Sequence, residues 1–279
     1  MIRGIVAHGG AGAPASMSDG PAAAAGAGMT ILSQKGSVLD AVVEAVRLLE
    51  DDERFNAGTG SVLRFDGIAY MDASVMSSDG VCGAVAGLTR TKNPVLVARR
   101  VSESPHVLLI ADGAVEFARR HGFPDYDPTT QRTLERLEKG KAEFDKGKRP
   151  AWPRNWSSYT DTVGAVAADG NGNFAAAAST GGVFPALKGR VGDVPLFGCG
   201  VFAGPEGAVA ATGIGEEIIR KVLCRTVYCY MEEGEGAQQA VERGISLYDK
   251  EVNVGLIAID KKGFGIAATG EMASGFSLG

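Results

Sequence analysis

The sequence predicts an α+β fold in which antiparallel sheets are covered by layers of helices. Both halves of the chain contain apolar strand-like segments as well as helical segments, and several strand pairs are separated only by a short turn. The turn GNG at 170–172 lies between TVGAVAAD and FAAAAST, which is the pattern of an antiparallel hairpin. A doubly wound parallel sheet fits less well, because parallel strands need long crossover connections.

The N-terminal half begins with a predicted strand at 2–7 that ends at the glycine-rich HGGAGA of 8–13. Helices are expected at about 20–34 and 37–50, and Ser37 stands where an N-cap should precede the apolar repeat of the second helix. The later elements of this half are the loop FNAGTGSV, the strands GIAYMDASVM and CGAVAGLTR, and the helices NPVLVARRVSES and ADGAVEFARRHG.

A change in composition separates the two halves. The chain from about 124 to 161 is rich in charge and proline and poor in aliphatic residues, which predicts an exposed linker that can be helical in part. Apolar segments resume at TVGAVAAD, and helices are expected at about 215–233 and 236–247. The strands VNVGLIAID and GFGIAATG close the chain, and all elements are expected to form a single domain, residues 1–279.

The composition argues against several classes of function. A formal net charge of -5 gives no basic surface for nucleic acid or an anionic membrane, and no apolar run is as long as a transmembrane helix. The four cysteines have no CxxC spacing and accompany only three histidines, so a zinc site is not expected. Reduced thiols and an N-terminus that resembles a strand more than a signal peptide predict a cytoplasmic protein.

Some polar motifs have ordinary structural explanations. His8 ends a predicted buried strand, so a role in holding the adjacent loop by hydrogen bonds is favoured over acid–base chemistry. Asp72 lies within a predicted strand and is interpreted as a structural hydrogen-bonding residue. The GIG at 213–215 is not expected to bind a dinucleotide, because Ile218 stands where the third glycine of that motif belongs.

Thr162 is the candidate nucleophile, because it lies where the predicted linker meets a buried strand. A threonine hydroxyl is a weak nucleophile unless a base lies beside it. If the bond after Asp161 is cut, the freed α-amine of Thr162 becomes that base, with a reference pKa near 8 and a position fixed by covalent geometry. On position alone, a threonine that merely opens a strand is the commoner situation.

The neighbouring motifs resemble the plant-type L-asparaginase/isoaspartyl aminopeptidase family of threonine-dependent N-terminal-nucleophile (Ntn) hydrolases. The resemblance covers almost the whole chain, in order. Its motifs are HGGAGA, LEDDERFNAGTGS, MDASVM, CGAVAGL, KNPVLVARRV, DTVGAVAADGNGNFAAAASTGG, GRVGDVPLFGCG and ATGIGEEIIR.

The resemblance implies a four-layer αββα sandwich, the Ntn-hydrolase fold. It also implies autocleavage between Asp161 and Thr162 into an α-subunit, 1–161, and a β-subunit, 162–279. The cleaved units are expected to form a homodimer and to need no organic cofactor. The implied activity is hydrolysis of L-asparagine or of β-aspartyl (isoaspartyl) dipeptides.

The same resemblance assigns the catalytic roles. Thr162 matches the nucleophile, and Thr180 matches a second threonine that hydrogen-bonds near it and assists cleavage. Thr212 and Gly213 match the oxyanion hole, in which a hydroxyl and a backbone N–H stabilise developing negative charge. Asn56 matches a residue that helps to position the nucleophile.

The substrate-binding assignment has independent chemical support. An amino acid head group needs a cation for its carboxylate and an anion for its ammonium, and Arg190 and Asp193 match the residues that supply them. Alone, such a pair is more often a solvated ion pair of little effect. The resemblance assigns substrate binding to Arg190, Val191, Gly192, Asp193, Thr212, Gly213, Ile214 and Gly215.

A sodium-binding loop is also implied, at 49–59. Its ligands would be backbone carbonyl oxygens, those of Leu49, Glu50, Asp52, Phe55, Ala57 and Thr59.

Three departures from the family pattern leave the substrate open. Val194 replaces a serine that is common in the family, the segment 183–188 reads VFPALK, and Asp161 replaces a common glycine, as in the related glycosylasparaginases. Two alternatives therefore remain: a glycosylasparaginase-like amidase, and a relative that neither cleaves nor catalyses and acts as a binding protein.

Overall fold

The computed structural model describes residues 1–145 and 162–279, with side chains as far as 142 in the first stretch. The strands are β1 (Arg3–Ala11), β2 (Met71–Ser77), β3 (Cys82–Leu88), β4 (Leu108–Ile110), β5 (Val163–Asp169), β6 (Phe174–Thr180), β7 (Val201–Gly204), β8 (Gly207–Gly213), β9 (Val254–Asp260), β10 (Phe264–Ala268) and β11 (Met272–Leu278). The α-helices are α1 (Asp19–Ser33), α2 (Val38–Asp51), α3 (Pro94–Val101), α4 (Ala111–Arg120), α5 (Gln131–Asp145), α6 (Gly215–Lys221), α7 (Leu223–Glu232) and α8 (Ala237–Ile245).

Across the described residues the strands form two sheets. Sheet A has the order β11-β1-β5-β6-β2-β3-β4, and sheet B has the order β10-β9-β8-β7. Every neighbouring pair is antiparallel except β3 and β4. The predicted antiparallel hairpin around GNG is present as β5 and β6, with Val166 opposite Ala176.

The two sheets pack face to face because their strands carry apolar side chains on both faces. In β5, Val166 and Ala168 lie in the core between the sheets, whereas Val163, Ala165 and Ala167 lie against the helices α1–α3. The same alternation in β8 and β9 gives sheet B one face toward sheet A and one toward α6–α8. The layers are therefore helix, sheet, sheet and helix, which confirms the predicted αββα sandwich.

Local signals placed the start of α2 correctly but not the end of the first strand. The N-cap predicted at Ser37 is present, since the Ser37 hydroxyl accepts a hydrogen bond of 3.0 Å from the Asp40 N–H. The first strand is longer than predicted, because β1 continues through the glycines to Ala11 and pairs with β5 and β11. The pairing is irregular only between His8 and Gly10.

The helix predicted at 215–233 is interrupted. Val222 separates α6 from α7 and has the left-handed backbone angles φ 45° and ψ 52°. The N–H of Arg225 donates to the carbonyl of Gly198 at 2.8 Å, so a tertiary contact fixes the start of α7.

The predicted exposed linker is, in its first part, a packed helix. Thr133 and Leu137 of α5 are buried, and Leu137 contacts a small apolar cluster that includes Phe184. The expected helical part of the segment is thus present as α5, and its buried Thr133 and Leu137 show that this part of the chain is not exposed throughout. Residues 146–161, including Asp161 of the predicted cleavage site, lie outside the described residues. No helix in the described parts of the chain is long and apolar enough to span a membrane.

Candidate active site

Three threonines converge at one end of the space between the sheets. Thr162 immediately precedes β5, Thr180 ends β6, and Thr212 lies near the end of β8. Strand periodicity explains their direction, because residues two or four apart in a strand point to the same face. Thr162 therefore lies on the same face as the inward-facing Val166, and Thr212 on the same face as the inward-facing Ala210. All three threonines are buried.

The hydroxyls of Thr162 and Thr180 are in direct contact. Thr162 Oγ1 donates to Thr180 Oγ1 at 3.2 Å, and the Gly182 N–H donates to the same Thr180 oxygen at 3.0 Å. Thr180 is therefore held from its own chain while it contacts the predicted nucleophile. The structure brings these two predicted residues together.

Thr212 approaches Thr162 from the opposite sheet. Its hydroxyl accepts a hydrogen bond from the Ala11 N–H at 3.1 Å and reaches the Thr162 carbonyl oxygen at 3.5 Å. Gly213 follows with φ 134°, a backbone conformation that favours glycine. The start of β9 is close behind it, and the Ile214 N–H donates to the Asn253 carbonyl at 3.0 Å.

Asn56 supports the site through the segment that follows Thr180. Its Nδ2 donates to the Gly182 carbonyl at 2.7 Å, its Oδ1 accepts from the Val62 N–H at 2.8 Å, and its carbonyl accepts from the Gly181 N–H at 2.8 Å. It is almost completely buried. Asn56 thus fixes the segment that follows Thr180, one step away from the predicted nucleophile.

Arg190 and Asp193 flank the start of α6, as the head-group assignment requires. A β-carbon added at Gly215 would lie 2.8 Å from both Arg190 Nη2 and Asp193 Oδ1. Any larger residue at 215 would therefore crowd these two charged groups, and glycine keeps the space between them open. Asp193 Oδ2 has no hydrogen-bond donor among the described residues. Burial raises the pKa of Asp193 to about 7, although the nearby Arg190 opposes the shift.

Glu216 holds the guanidinium of Arg190. Its two carboxylate oxygens accept hydrogen bonds of 2.9 Å from Nε and from Nη2 of Arg190. The third nitrogen, Nη1, lies on the side of Gly182 and Gly192. The bidentate geometry fixes the plane of the guanidinium and directs its Nη1 edge away from Glu216.

The remaining predicted binding residues have different environments. Val191 is partly exposed, whereas Ile214 is buried at the N-terminus of α6. Val194, which departs from the family pattern, has its side chain in the core between the sheets. Its carbonyl accepts a hydrogen bond from the Ser74 hydroxyl at 2.5 Å.

Asp72 is a structural hydrogen-bonding residue, as predicted, but it also reaches the substrate loop. Its Oδ1 accepts from the Gly87 N–H at 2.8 Å, and its Oδ2 accepts from the Gly192 N–H at 3.4 Å. Burial raises the pKa of Asp72. Arg64 supports the same loop, with hydrogen bonds to the carbonyls of Leu187 and Arg190.

His8 does not hold its loop by hydrogen bonds, so that prediction is wrong. The imidazole is completely buried against the backbone of Thr162 and Gly164, and neither ring nitrogen has a well-formed hydrogen bond within the described part of the chain. Burial lowers the pKa of His8 to about 3, and the Thr162 backbone opposes the shift. His8 is therefore neutral.

The loop predicted to bind sodium presents backbone carbonyl oxygens, which are the ligand type of hard cations. Three of the six predicted oxygens also accept hydrogen bonds: that of Glu50 from Thr59, that of Asp52 from Phe55, and that of Phe55 from Arg132. A carbonyl oxygen has two lone pairs, so these bonds leave acceptor capacity. Backbone carbonyl oxygens of this kind are suitable ligands for a monovalent cation such as sodium. No cluster of His, Cys, Asp or Glu side chains suited to a metal occurs among the described residues.

Comparison of the sequence with known proteins identifies the family of this chain. The model of the family described as Asparaginase matches residues 2–276. The chain belongs to the Asparaginase family. The family relationship inferred from the motifs is thereby confirmed.

Relatives within the Asparaginase family carry two names. A plant-type L-asparaginase of Pyrococcus abyssi is 41% identical over 276 residues, covering 93% of this chain and 90% of the relative. A plant-type L-asparaginase of Thermococcus kodakarensis is 42% identical over 280 residues, covering 94% and 91%. An isoaspartyl peptidase/L-asparaginase of Homo sapiens is 40% identical over 277 residues, covering 94% and 88%.

Two residues of this Asparaginase-family site, Glu216 and Arg64, were not predicted from the sequence. Glu216 has a detectable signal, because it is an acidic residue in the first turn of a helix directly after the predicted oxyanion segment. Arg64 has none, since its partners are backbone carbonyls more than a hundred residues away in the chain.

Proposed function

We propose that this chain cuts itself before Thr162 and then hydrolyses the side-chain amide of L-asparagine, or the β-aspartyl bond of isoaspartyl dipeptides. The observation that carries the proposal is the contact of Thr162 with Thr180 and Thr212 beside the Arg190–Asp193 pair. The names of the relatives support both substrates.

Maturation uses the hydroxyl of the future nucleophile. Thr162 Oγ attacks the carbonyl carbon of Asp161, the C–N bond breaks, and the amine of Thr162 takes up the proton as an ester forms. Water then hydrolyses the ester, which leaves a carboxylate on Asp161 and a free hydroxyl and amine on Thr162. Thr180, which already contacts the hydroxyl, assists this attack.

The mature reaction begins with recognition of the head group. The substrate carboxylate binds the Nη1 side of Arg190, and the substrate ammonium binds Asp193 and the backbone of Gly215. Burial makes both contacts strong, since water competes less for them. The same pair rejects a substrate whose α-amino or α-carboxyl group lies within a peptide chain, because each charged partner would then lose its counterpart.

Amide hydrolysis then proceeds through an ester of Thr162. The α-amine takes the proton of Oγ, which attacks the side-chain carbonyl carbon, and Thr212 and Gly213 stabilise the resulting oxyanion. The intermediate collapses by breaking the C–N bond, and the leaving ammonia or amine takes the proton. Water hydrolyses the ester and releases aspartate.

The assembly and the cation complete the proposal. The family resemblance supports a homodimer of cleaved units, and the carbonyl oxygens of 49–59 support a structural sodium ion. Neither the second copy of the chain nor the sodium ion takes part in the proposed reaction steps.

Mass spectrometry of the incubated protein tests the central step. A fragment that begins Thr162-Val163-Gly164, and that is absent from a Thr162→Ala variant, is the expected result. Activity is then compared on L-asparagine, β-aspartyl dipeptides and a glycosylated asparagine, with Thr162→Ala as the control. A chain that stays whole and binds these compounds without turnover is instead the non-catalytic relative, and turnover of the glycosylated substrate alone indicates a glycosylasparaginase.

A further inference from the structure

A guanidinium from α5 lies in the concave side of the loop that carries Asn56. Arg132 Nη1 donates to the carbonyl of Arg54 at 2.8 Å, and Nη2 donates to the carbonyls of Glu53 and Phe55, the latter at 3.4 Å. Three consecutive carbonyl oxygens therefore converge on one planar cation. Guanidinium suits this arrangement, because its donors form a rigid fork.

Two further contacts join the segment before α5 to the same loop. The Gly60 N–H donates to the carbonyl of Pro128 at 2.9 Å, and the hydroxyls of Thr59 and Tyr126 lie 3.0 Å apart. On the inner side, the loop is anchored by Phe55, which is completely buried. The loop is thus fixed from outside by 126–132 and from inside by an aromatic ring.

A continuous series of hydrogen bonds leads from this loop to the nucleophile. Asn56, which follows the loop carbonyls, bonds to Gly181 and Gly182. The Gly182 N–H holds Thr180 Oγ1, and Thr180 Oγ1 accepts from Thr162. A shift of the loop therefore moves the hydroxyl partner of Thr162, whereas the guanidinium of Arg190, although it faces Gly182, is held in place by two hydrogen bonds to Glu216.

We propose that Arg132 is a positioning residue, a cation of the chain itself that fixes the 53–60 loop and, through Asn56, the Thr180–Thr162 contact. The role rests on the proposed threonine chemistry. Arg132 touches neither substrate nor reacting atoms, so its loss lowers kcat and leaves KM nearly unchanged. The expected fall in kcat is roughly tenfold, since a misplacement of about 1 Å at a reacting group costs up to about a hundredfold.

The test compares Arg132→Ala and Arg132→Lys with Lys141→Ala. Lys141 lies on the same helix, carries the same charge and contacts Glu138, so its loss controls for removal of a cation from α5. Steady-state kinetics on L-asparagine are measured for full-length proteins whose new N-terminus at Thr162 has been verified. Free guanidinium ion at millimolar, non-denaturing concentration is then added to each protein, with sodium as the comparison.

The expected result is a kcat about tenfold lower for Arg132→Ala, a KM within about twofold of the parent, and an intermediate kcat for Arg132→Lys. Guanidinium restores part of the activity of Arg132→Ala and has no such effect on the parent or on Lys141→Ala. A merely structural residue would lower the thermal midpoint without this rescue.

The outcomes separate the two proposals. If the parent hydrolyses asparagine and Arg132→Ala is as active as Lys141→Ala, the positioning role is wrong and the proposed function stands. The role is also wrong if Arg132→Ala loses activity that guanidinium does not restore while Arg132→Lys is fully active. If the cleaved parent hydrolyses none of the substrates, the proposed function fails and the role of Arg132 fails with it.

Discussion

Replacing Glu50 by glutamine should remove a loss of protein stability that occurs as the pH rises. Glu50 lies on α2, in the helix layer that packs against sheet A. The Glu50 carboxyl group is completely buried between α2 and sheet A, close to Ser179. Its Oε1 accepts a hydrogen bond of 2.9 Å from the Val95 N–H, whereas Oε2 has no donor within the described residues. Burial raises the pKa of Glu50 from 4.5 to about 8.

The sign of the effect follows from proton counting. Between pH 4.5 and about pH 8 the folded protein keeps a proton on Glu50 that the unfolded chain has lost. Raising the pH through this window therefore favours the unfolded state, by about 1.4 kcal/mol per pH unit. From pH 4.5 to pH 7, Glu50 lowers the free energy of unfolding by roughly 3 kcal/mol. Glutamine has nearly the same shape, can keep the bond to Val95, and does not titrate.

Urea denaturation across this pH range measures the effect. Parent and variant are compared in a Thr162→Ala background, because an uncleaved chain allows reversible unfolding of a single molecule. The variant should gain roughly 3 kcal/mol relative to the parent between pH 4.5 and pH 7. A difference between the two proteins that does not change with pH would refute the reasoning, since Glu50 would then ionise normally in the fold.

Three other predictions concern the site and its supports. Glu216→Gln should raise KM for L-asparagine several-fold with little change in kcat, because Arg190 loses the partner that fixes the plane of its guanidinium. Glu217→Gln is the matched control, and equal effects of the two variants would contradict this role of Glu216. KM should fall as pH rises through about 7, because Asp193 must ionise to accept the substrate ammonium, and a KM that is constant with pH would argue against it. Val222→Gly should stabilise the protein by about 1 kcal/mol in urea denaturation, since a β-branched residue is strained at positive φ; a loss of stability would show that the side chain contributes more than the strain costs.

Local patterns predicted the parts of the fold that depend on neighbouring residues. The β5–β6 hairpin is encoded by alternating small apolar residues around GNG, and the start of α2 is encoded by Ser37 and its helical apolar repeat. By contrast, β11 was missed, because MASGFSL has little strand character and its pairing partner β1 lies at the other end of the chain. The break at Val222 was missed for the same kind of reason, since Gly198 fixes it from a distant loop.

The site divides along similar lines. The three threonines, Arg190 and Asp193 were predicted through motifs, and strand periodicity explains why the threonines face one another. Of the residues that support them, Asn56 was predicted through its motif, whereas Glu216, Arg64 and Arg132 were not. Arg132 donates to loop carbonyls, and backbone acceptors leave no trace in the side-chain pattern of a sequence.

The order of strands in sheet A has a consequence for the proposed two-chain product. From β11 to β4, the strands belong in turn to the fragments 162–279, 1–161, 162–279 and 1–161 again, so the fragments adjoin at three places: β11–β1, β1–β5 and β6–β2. Two interwoven chains cannot drift apart by breaking one interface, because separation must unzip three ladders of backbone hydrogen bonds together. Cutting the 161–162 bond would therefore free an amine without freeing a subunit, and each fragment made alone would expose several unpaired strand edges.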